Sequence, residues 1–231
     1  MNPSKSVILL SSGLDSTVNL FLAHQRTQVV QTITFDYGQR ARDKEIHFSQ
    51  KLSQHLNIPH RVIDLPWLKN IGNSSLNNSQ FEIPTGQQVS IDDMQVSTQS
   101  AKSVWVPNRN GVFLNIAACL AEAAQADVIV PGFNIEEATT FPDNSEAYMD
   151  AATSAFKFST ANQVKVVSYT VKMKKTEIMK IALQEEIPLH LLWPCYFSKD
   201  RWCGECESCL RTKRAMIDNK IGVKEFFLEI E

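Results

Sequence analysis

The sequence lacks both an excess of charge of one sign and a long apolar run. Lysine and arginine total 23 against 25 for aspartate and glutamate, which gives a formal net charge of −2. A protein that mainly coats nucleic acid is usually clearly basic, so we expect no direct nucleic-acid partner. No apolar stretch approaches the roughly 20 residues that span a bilayer, so we expect no membrane partner either.

A secretory signal is also missing from the start of the sequence. Residues 1–13 read MNPSKSVILLSSG, with one short apolar run and no small-residue cleavage site. This pattern does not match a signal peptide. We therefore expect a cytoplasmic location, in which cysteines stay reduced.

Familiar catalytic patterns are scarce. The five histidines form no metal-ligand spacing, and we interpret them as surface or internally satisfied side chains. We find no Ser-His-Asp or Cys-His constellation, no internal repeat and no low-complexity linker.

What the sequence does contain is an alternation of strand and helix signals. Short apolar runs predict five buried strands, at residues 6–10, 29–35, 59–65, 127–133 and 164–171. The segments between and after them predict helices that begin at Asp15 and cover 39–56, 111–124, 144–159 and 175–185. This order predicts an α/β fold, a Rossmann-like doubly wound parallel sheet with helices on both faces.

Two stretches depart from this alternation. Residues 69–100 are rich in Asn, Ser, Gln and Gly, which is typical of a functional loop or a disordered segment. Residues 193–214 hold most of the cysteines. We predict a main α/β unit over residues 1–192 and a small unit over residues 193–231, both within one compact domain.

The first strand-to-helix turn reads SSGLDS, at residues 11–16. In an open α/β sheet such a turn lies at the ligand-binding edge. Small side chains let backbone N–H groups approach an anion, and the following helix presents its positive end. We place Asp15 at the helix N-cap, where it stabilises the helix or holds a metal ion. Because Ser, Gly and Asp are common in any turn, a polar turn without a ligand remains the alternative.

The SSGLDS turn resembles the SGGxDS signature of the PP-loop ATP pyrophosphatases, which cleave ATP to AMP and pyrophosphate. It does not resemble the Walker loop, which ends in Gly-Lys-Ser/Thr. Ser12 replaces the first glycine of the signature, and serine is costly there if the position needs a positive φ angle. The resemblance implies an ATP site with Mg²⁺, bound by Leu10, Ser11, Ser12, Gly13, Leu14, Asp15, Ser16, Thr17, Val18, Asn19 and Leu20.

Four cysteines, Cys195, Cys203, Cys206 and Cys209, lie within fifteen residues. Two-residue gaps let neighbouring thiolates bind one ion, and four thiolates complete a tetrahedral zinc site, so we predict a structural Zn²⁺. A redox CxxC pair and an iron–sulfur cluster remain open, whereas disulfides are disfavoured in a reducing compartment. We interpret the fifth cysteine, Cys119, as a core residue of the helix at 111–124.

Further motifs resemble one branch of the PP-loop family, the enzymes of the queuosine pathway that make 7-cyano-7-deazaguanine. They are FDYGQR at 35–40, VPNRNGVFL at 106–114, FPDNSEAY at 141–148, a Lys175-to-Glu177 step that opens a helix, and the cysteine-rich end. Residues 135–145, IEEATTFPDNS, depart from the family's usual segment. The motifs follow one another in the family's order over nearly the whole chain.

This resemblance implies conversion of 7-carboxy-7-deazaguanine and ammonia to the nitrile, with ATP supplying the leaving groups. It also implies a homodimer. Asp15, Ser16 and Lys175 are then the candidate catalytic residues. The candidate ligands of substrate or phosphate are Asp36, Gln39, Arg40, Arg109 and Asp143.

Other functions stay open at this point. A PP-loop enzyme that thiolates tRNA would bind RNA, which the near-neutral charge disfavours. A relative could stop at the amide or attach the deazaguanine to another acceptor. A zinc-stabilised module could bind a nucleotide or a protein without catalysis.

Overall fold

Five parallel strands form the centre of the fold in the computed structural model, which describes residues 4–228. The strands are β1 (Lys5–Leu9), β2 (Gln28–Asp36), β3 (His60–Asp64), β4 (Val128–Val130) and β5 (Lys165–Val166). Their order across the sheet is β3-β2-β1-β4-β5. The predicted Rossmann-like parallel sheet is therefore confirmed.

Eight α-helices surround this sheet in the described part of the chain. They are α1 (Leu14–Arg26), α2 (Arg42–His55), α3 (Met94–Val104), α4 (Arg109–Ala123), α5 (Ile135–Ala138), α6 (Glu146–Ser159), α7 (Lys175–Gln184) and α8 (Glu207–Asp218). Short 3₁₀ turns lie at Pro66–Asn70, Gly86–Gln88, Pro142–Asn144 and Leu189–Leu191.

The strand order creates a switch point between β1 and β4. From β1 the chain winds to β2 and β3 on one side, and later to β4 and β5 on the other. Ligands of open α/β sheets bind in the crevice outside the carboxyl ends of such strands. The turn after β1 lies there, and α1 is buried over Leu14–Ala23.

Two predicted strands are shorter than expected. β4 ends at Val130 because Pro131, which follows it, has no N–H to donate to a ladder. β5 pairs over only Lys165–Val166, and the chain then turns away. There, Thr170 donates its hydroxyl to the Phe133 carbonyl at 2.7 Å, which replaces ladder bonds.

The polar stretch 69–100 contains part of a helix that the sequence did not predict. Asp93 caps α3 by accepting the N–H groups of Gln95 and Val96. The buried face of α3 consists of Ser97, Ser100, Ala101 and Val104. Because most of these buried residues are small or carry a hydroxyl group, the segment shows little of the apolar periodicity from which a helix is predicted.

The cysteine-rich end packs against the main sheet's outer helices, with α8 beside α7. Trp193 donates its backbone N–H to the carbonyl of Ser12 at 2.8 Å. The start of this unit thus contacts the first loop directly. Residues 229–231 of the predicted unit 193–231, and residues 1–3 of the other, lie outside the described residues.

Candidate active site

The loop after β1 folds around the hydroxyl of Ser16. The Ser11 N–H donates to Ser16 Oγ at 3.2 Å, and that hydroxyl donates to the Gly13 carbonyl at 3.1 Å. Ser12 is fully buried and has a φ of 57°. The position therefore does require a positive φ angle, as the glycine of the signature suggests.

Asp15 is not the N-cap of α1, so that prediction was wrong. Gly13 occupies the cap position, and Asp15 is the second residue of the helix. The glycine leaves the first N–H groups of the helix without a side-chain cap. The carboxylate of Asp15 faces α7 instead, and it pairs with Lys175.

Gly132, two residues after β4, allows the loop after β1 to approach this end of β4 closely. A Cβ atom at this position would lie 2.5 Å from the backbone nitrogen of Ser16 and 2.6 Å from its Cα. Side-chain atoms do not approach backbone atoms so closely, so only glycine fits without displacing the loop. Gly132 thus determines how closely the backbone of Ser16 can approach the end of β4.

Lys175 lies between two carboxylates. It contacts Asp15, and its Nζ lies 2.9 Å from Glu137 Oε1, with only 3% of its side chain exposed. Burial lowers the pKa of Lys175, but the two carboxylates raise it more strongly, so it stays above its usual range. The two carboxylates thereby offset the unfavourable position of a cation at a helix N-terminus.

The two carboxylates respond differently to this lysine. Burial raises the pKa of Asp15 to about 6 despite the opposing effect of Lys175. Burial also opposes ionisation of Glu137, but Lys175 outweighs it and lowers the pKa of Glu137. The Oδ1 atom of Asp15 is buried and has no hydrogen-bond partner within residues 4–228.

A central pocket lies at the carboxyl ends of β1, β2 and β4, and Lys175 and its two carboxylate partners, Asp15 and Glu137, line it. The sequence-predicted residues that line it are Leu10, Ser11, Gly13, Leu14, Asp15, Ser16, Gln39, Arg40, Arg109 and Lys175. Those that do not line it are Ser12, Thr17, Val18, Asn19, Leu20, Asp36 and Asp143. The structure therefore brings most of the predicted site together and places the remainder behind or beside it.

Several predicted ligands have roles in local structure. Asp36 accepts the N–H of Gly38 at 3.0 Å, which shapes the turn after β2. Asn19 donates to Thr170 Oγ1 at 2.6 Å and so ties α1 to the segment after β5. Gln39 lines the pocket, yet its amide donates to the Phe35 carbonyl at 2.9 Å and to Glu45 at 2.9 Å.

The two predicted arginines, Arg40 and Arg109, line the same pocket as Lys175. Arg109 donates to the hydroxyl of Tyr37 at 3.3 Å, and its guanidinium lies 5.8 Å from the centre of that ring. Burial lowers the pKa of Arg109, but Tyr37 and Asp143 raise it more. Arg40 donates to the carbonyl oxygens of Asn78 and Phe81.

Charged residues that the sequence did not point to also line the pocket. They are Glu45, Glu137, Glu207 and Arg211. Burial raises the pKa of Glu45 to about 7. Glu207 lies between Cys206 and Cys209, and Arg211 follows it by four residues, a spacing that could have identified the pair.

The four clustered cysteines meet at one point. Their sulfur atoms all lie within 4.8 Å of one another, and all four side chains are buried. The Cys203 and Cys209 sulfurs are 3.8 Å apart. Cys195 Sγ accepts backbone N–H groups from Phe197 and Cys203, which stabilise thiolate charge. This arrangement could hold a metal ion.

Cys119 was predicted to lie in the core, and this was wrong, because the side chain is exposed. Asn115 and Ala123, four residues away on either side, are exposed as well. The three residues share the outer stripe of α4. The apolar composition of this helix did not distinguish that stripe from its buried faces.

Among residues 4–228, no helix is both long enough and apolar enough to cross a bilayer.

Known proteins are similar to this one over nearly the whole chain, and not only at the site. Residues 5–220 match the family model described as queuosine biosynthesis protein QueC. A 7-cyano-7-deazaguanine synthase of Bdellovibrio bacteriovorus is 52% identical over 226 residues, covering 97% of this chain and 98% of the relative. One from Methanosarcina mazei is 48% identical over 228 residues, covering 97% and 98%.

Among solved structures, the NMN synthetase of Francisella tularensis superimposes with a TM-score of 0.50 at 14% identity, covering 96% of this chain and 79% of that one. At this identity the likeness concerns the fold alone. The sequence matches carry the family assignment, since they span nearly the full length of both chains. The chain belongs to the queuosine biosynthesis protein QueC family.

Proposed function

We propose that this protein converts 7-carboxy-7-deazaguanine, ammonia and ATP into 7-cyano-7-deazaguanine, for queuosine biosynthesis in the cytoplasm. The full-length similarity to synthases of that name is the observation that supports the proposal most strongly. The pocket supports it independently, because it combines a phosphate-type loop with the buried cations Lys175 and Arg211.

The chemistry requires two activations. A carboxylate oxygen of the substrate attacks the α-phosphorus of ATP, and pyrophosphate leaves. Ammonia adds to the acyl adenylate, and AMP and a proton leave to give the amide. The amide oxygen then attacks the α-phosphorus of a second ATP, and pyrophosphate leaves. Loss of AMP and of the two protons on the amide nitrogen gives the nitrile. We infer that ammonia comes from solution or from a partner protein.

The protein's role in these steps is to position the reactants and neutralise charge. The N–H groups of the loop Ser11–Ser16 and the N-terminus of α1 would bind the phosphates. Lys175 would balance the negative charge that develops as pyrophosphate leaves. Arg109, which also lines the pocket, would bind the substrate carboxylate or the phosphates.

Magnesium ions neutralise phosphate charge in reactions of this kind. Asp15 fits such a ligand, because its Oδ1 is buried and lacks a hydrogen-bond donor among the described residues. Glu137 is the other carboxylate at this position. We propose that these two side chains would hold Mg²⁺ beside the loop.

We also propose that the cysteine cluster holds one structural Zn²⁺. With Zn–S bonds of about 2.3 Å, tetrahedral sulfurs lie about 3.8 Å apart. The Cys203–Cys209 distance of 3.8 Å fits this value. An iron–sulfur cluster is disfavoured, because its ligating sulfurs bind different irons and lie farther apart. With four thiolates as ligands, no position remains for catalysis.

Mass spectrometry of a reaction that contains 7-carboxy-7-deazaguanine, ATP and ammonium tests the proposed function directly. We expect the nitrile, with two AMP and two pyrophosphate formed per product. ADP and inorganic phosphate without AMP would refute the ATP chemistry. Accumulation of the amide alone would make the protein an amide-forming relative.

A homodimer is our proposal for the assembly, since two-fold dimers are the commonest soluble assemblies. The exposed stripe of α4, at Asn115, Cys119 and Ala123, is a candidate contact because small side chains permit close packing. Sedimentation velocity at micromolar concentration tests this. A species of 26 kDa that persists on concentrating would establish a monomer.

A further inference from the structure

Glu207 is a buried acidic residue in the wall of the central pocket. It is the first residue of α8 and lies directly after Cys206. Only 4% of it is exposed, and it lines the pocket together with Tyr196 and Arg211. The cysteine cluster therefore supplies a carboxylate to the pocket as well as stabilising the end of the chain.

Arg211 donates hydrogen bonds to one oxygen of this carboxylate, Oε1. Glu207 Oε1 accepts from Arg211 Nε at 3.2 Å and from Nη2 at 2.8 Å. Arg211 is held in turn by Glu136 Oε2, at 3.0 Å from Nη1. Glu207 Oε2 is buried and has no donor in the part of the chain that the structure describes.

The surroundings of Oε2 limit what it can bind. An ionised carboxylate only accepts hydrogen bonds, so its partner must donate. Arg211 already balances the negative charge, which makes a second cation such as Mg²⁺ or ammonium unfavourable next to it. Phosphate and the substrate carboxylate are anions and would be repelled. Neutral donors remain, which are the hydroxyl groups of a sugar or the N–H groups of a heterocycle.

We propose that Glu207 Oε2 accepts hydrogen bonds from the N1–H and 2-amino groups of the deazaguanine ring, an inference that rests on the proposed function. Guanine-type rings present these two donors side by side. Adenine presents one amino donor next to a ring nitrogen that is an acceptor, and a carboxylate would repel that nitrogen. Glu207 is thus a specificity-determining residue, which separates the deazaguanine from the adenine of ATP.

The test measures equilibrium binding of two ligands without turnover, in the absence of ATP. The ligands are 7-carboxy-7-deazaguanine and its analogue without the 2-amino group. We expect wild type to bind the analogue at least about tenfold more weakly, because a charge-assisted hydrogen bond is lost. In Glu207→Gln the full ligand should weaken at least about tenfold, and the difference between the two ligands should largely disappear.

Two controls separate recognition from structure. Glu205→Gln removes the same charge from the same cysteine loop at a residue that does not line the pocket, and should bind both ligands as wild type does. The metal content and ATP affinity of Glu207→Gln should also be unchanged. If that variant does not fold, Glu207→Asp replaces it, since the shorter side chain keeps the charge but withdraws the oxygen.

Several results would overturn the inference. One is a folded Glu207→Gln protein that still discriminates the 2-amino group as wild type does. Another is a defect confined to ATP affinity, or to the dependence of the rate on ammonium or Mg²⁺. Failure of wild type to bind or convert 7-carboxy-7-deazaguanine would instead refute the proposed function, and is recognised without any variant.

Discussion

Lys175 donates a hydrogen bond to the carboxylate of Asp15, a residue 160 positions earlier in the sequence. The contact joins the first residue of α7 to the second residue of α1, and Glu137 completes the arrangement from α5. The pair is almost fully buried. Three elements that are distant in sequence therefore meet at one cation beside the proposed phosphate site.

Replacing Lys175 with methionine should destabilise the protein and reduce its activity. The change leaves two buried carboxylates without a cation, which typically costs about 3–5 kcal/mol of unfolding free energy. Denaturant unfolding and turnover of ATP measure the two effects. Lys180→Met, on the exposed side of the same helix, is the matched control. Equal stability in the two variants would contradict the structural importance of the pair.

Gly132→Ala should lower turnover at least about tenfold through displacement of the first loop. The added methyl group would meet the backbone of Ser16, which has no flexible end that could move aside. Steady-state kinetics with ATP as the varied substrate measures the effect. The same substitution at Gly222, where a Cβ meets nothing within 4 Å, should leave the kinetics unchanged. Normal kinetics in both variants would show that the close approach does not matter.

Ser12→Gly should preserve activity and raise stability by up to about 1 kcal/mol. Glycine adopts a φ of 57° without strain, whereas serine does not. The gain is limited because the variant loses the hydroxyl bond to the Ser11 carbonyl. Ser12→Ala separates the two effects, since it removes the hydroxyl and keeps the strain, so it should be less stable than wild type. An alanine variant more stable than the glycine variant would contradict this account.

Cys206→Ser should lose the metal ion and stability together, because metal binding is linked to folding. We expect about one equivalent of zinc in the wild-type chain and much less in the variant. Metal analysis and thermal unfolding report the two quantities on one sample. Cys119→Ser removes an exposed thiol far from the cluster and should retain both. Iron instead of zinc in the wild-type protein would exclude the zinc assignment.

The pH dependence of stability should contain a contribution from His60. Burial lowers its pKa to about 4, and its Nδ1 lies 2.8 Å from Thr32 Oγ1. The unfolded chain therefore binds the proton more tightly, and the free energy of unfolding falls as the pH drops from 6.5 towards 4. We expect a loss of about 1–2 kcal/mol, allowing for partial solvent exposure of the ring.

His60→Gln should remove that part of the pH dependence, measured by denaturant unfolding at pH 7.5 and pH 5. The exposed His190, changed to glutamine, serves as the control and should leave the wild-type dependence intact. Identical pH profiles for wild type and His60→Gln would show that another group is responsible.

The sequence by itself determined the order of the five strands and the location of the two motifs. Alternating apolar runs predicted the parallel sheet, because strand and helix periodicity depend on residues that are neighbours in the chain. The clustered cysteines and the SSGLDS turn were recognisable for the same reason. Even the positive φ angle at Ser12 followed from a local pattern.

Only the tertiary structure decided what these residues contact. Asp15, which was predicted to be a helix cap, pairs with Lys175. Asp36 does not line the pocket, whereas Glu207, which was not predicted, does. The tertiary structure also exposed Cys119 and revealed α3 behind a polar sequence. Contacts between distant segments depend on how helices and strands pack, and no local pattern in the sequence encodes that packing.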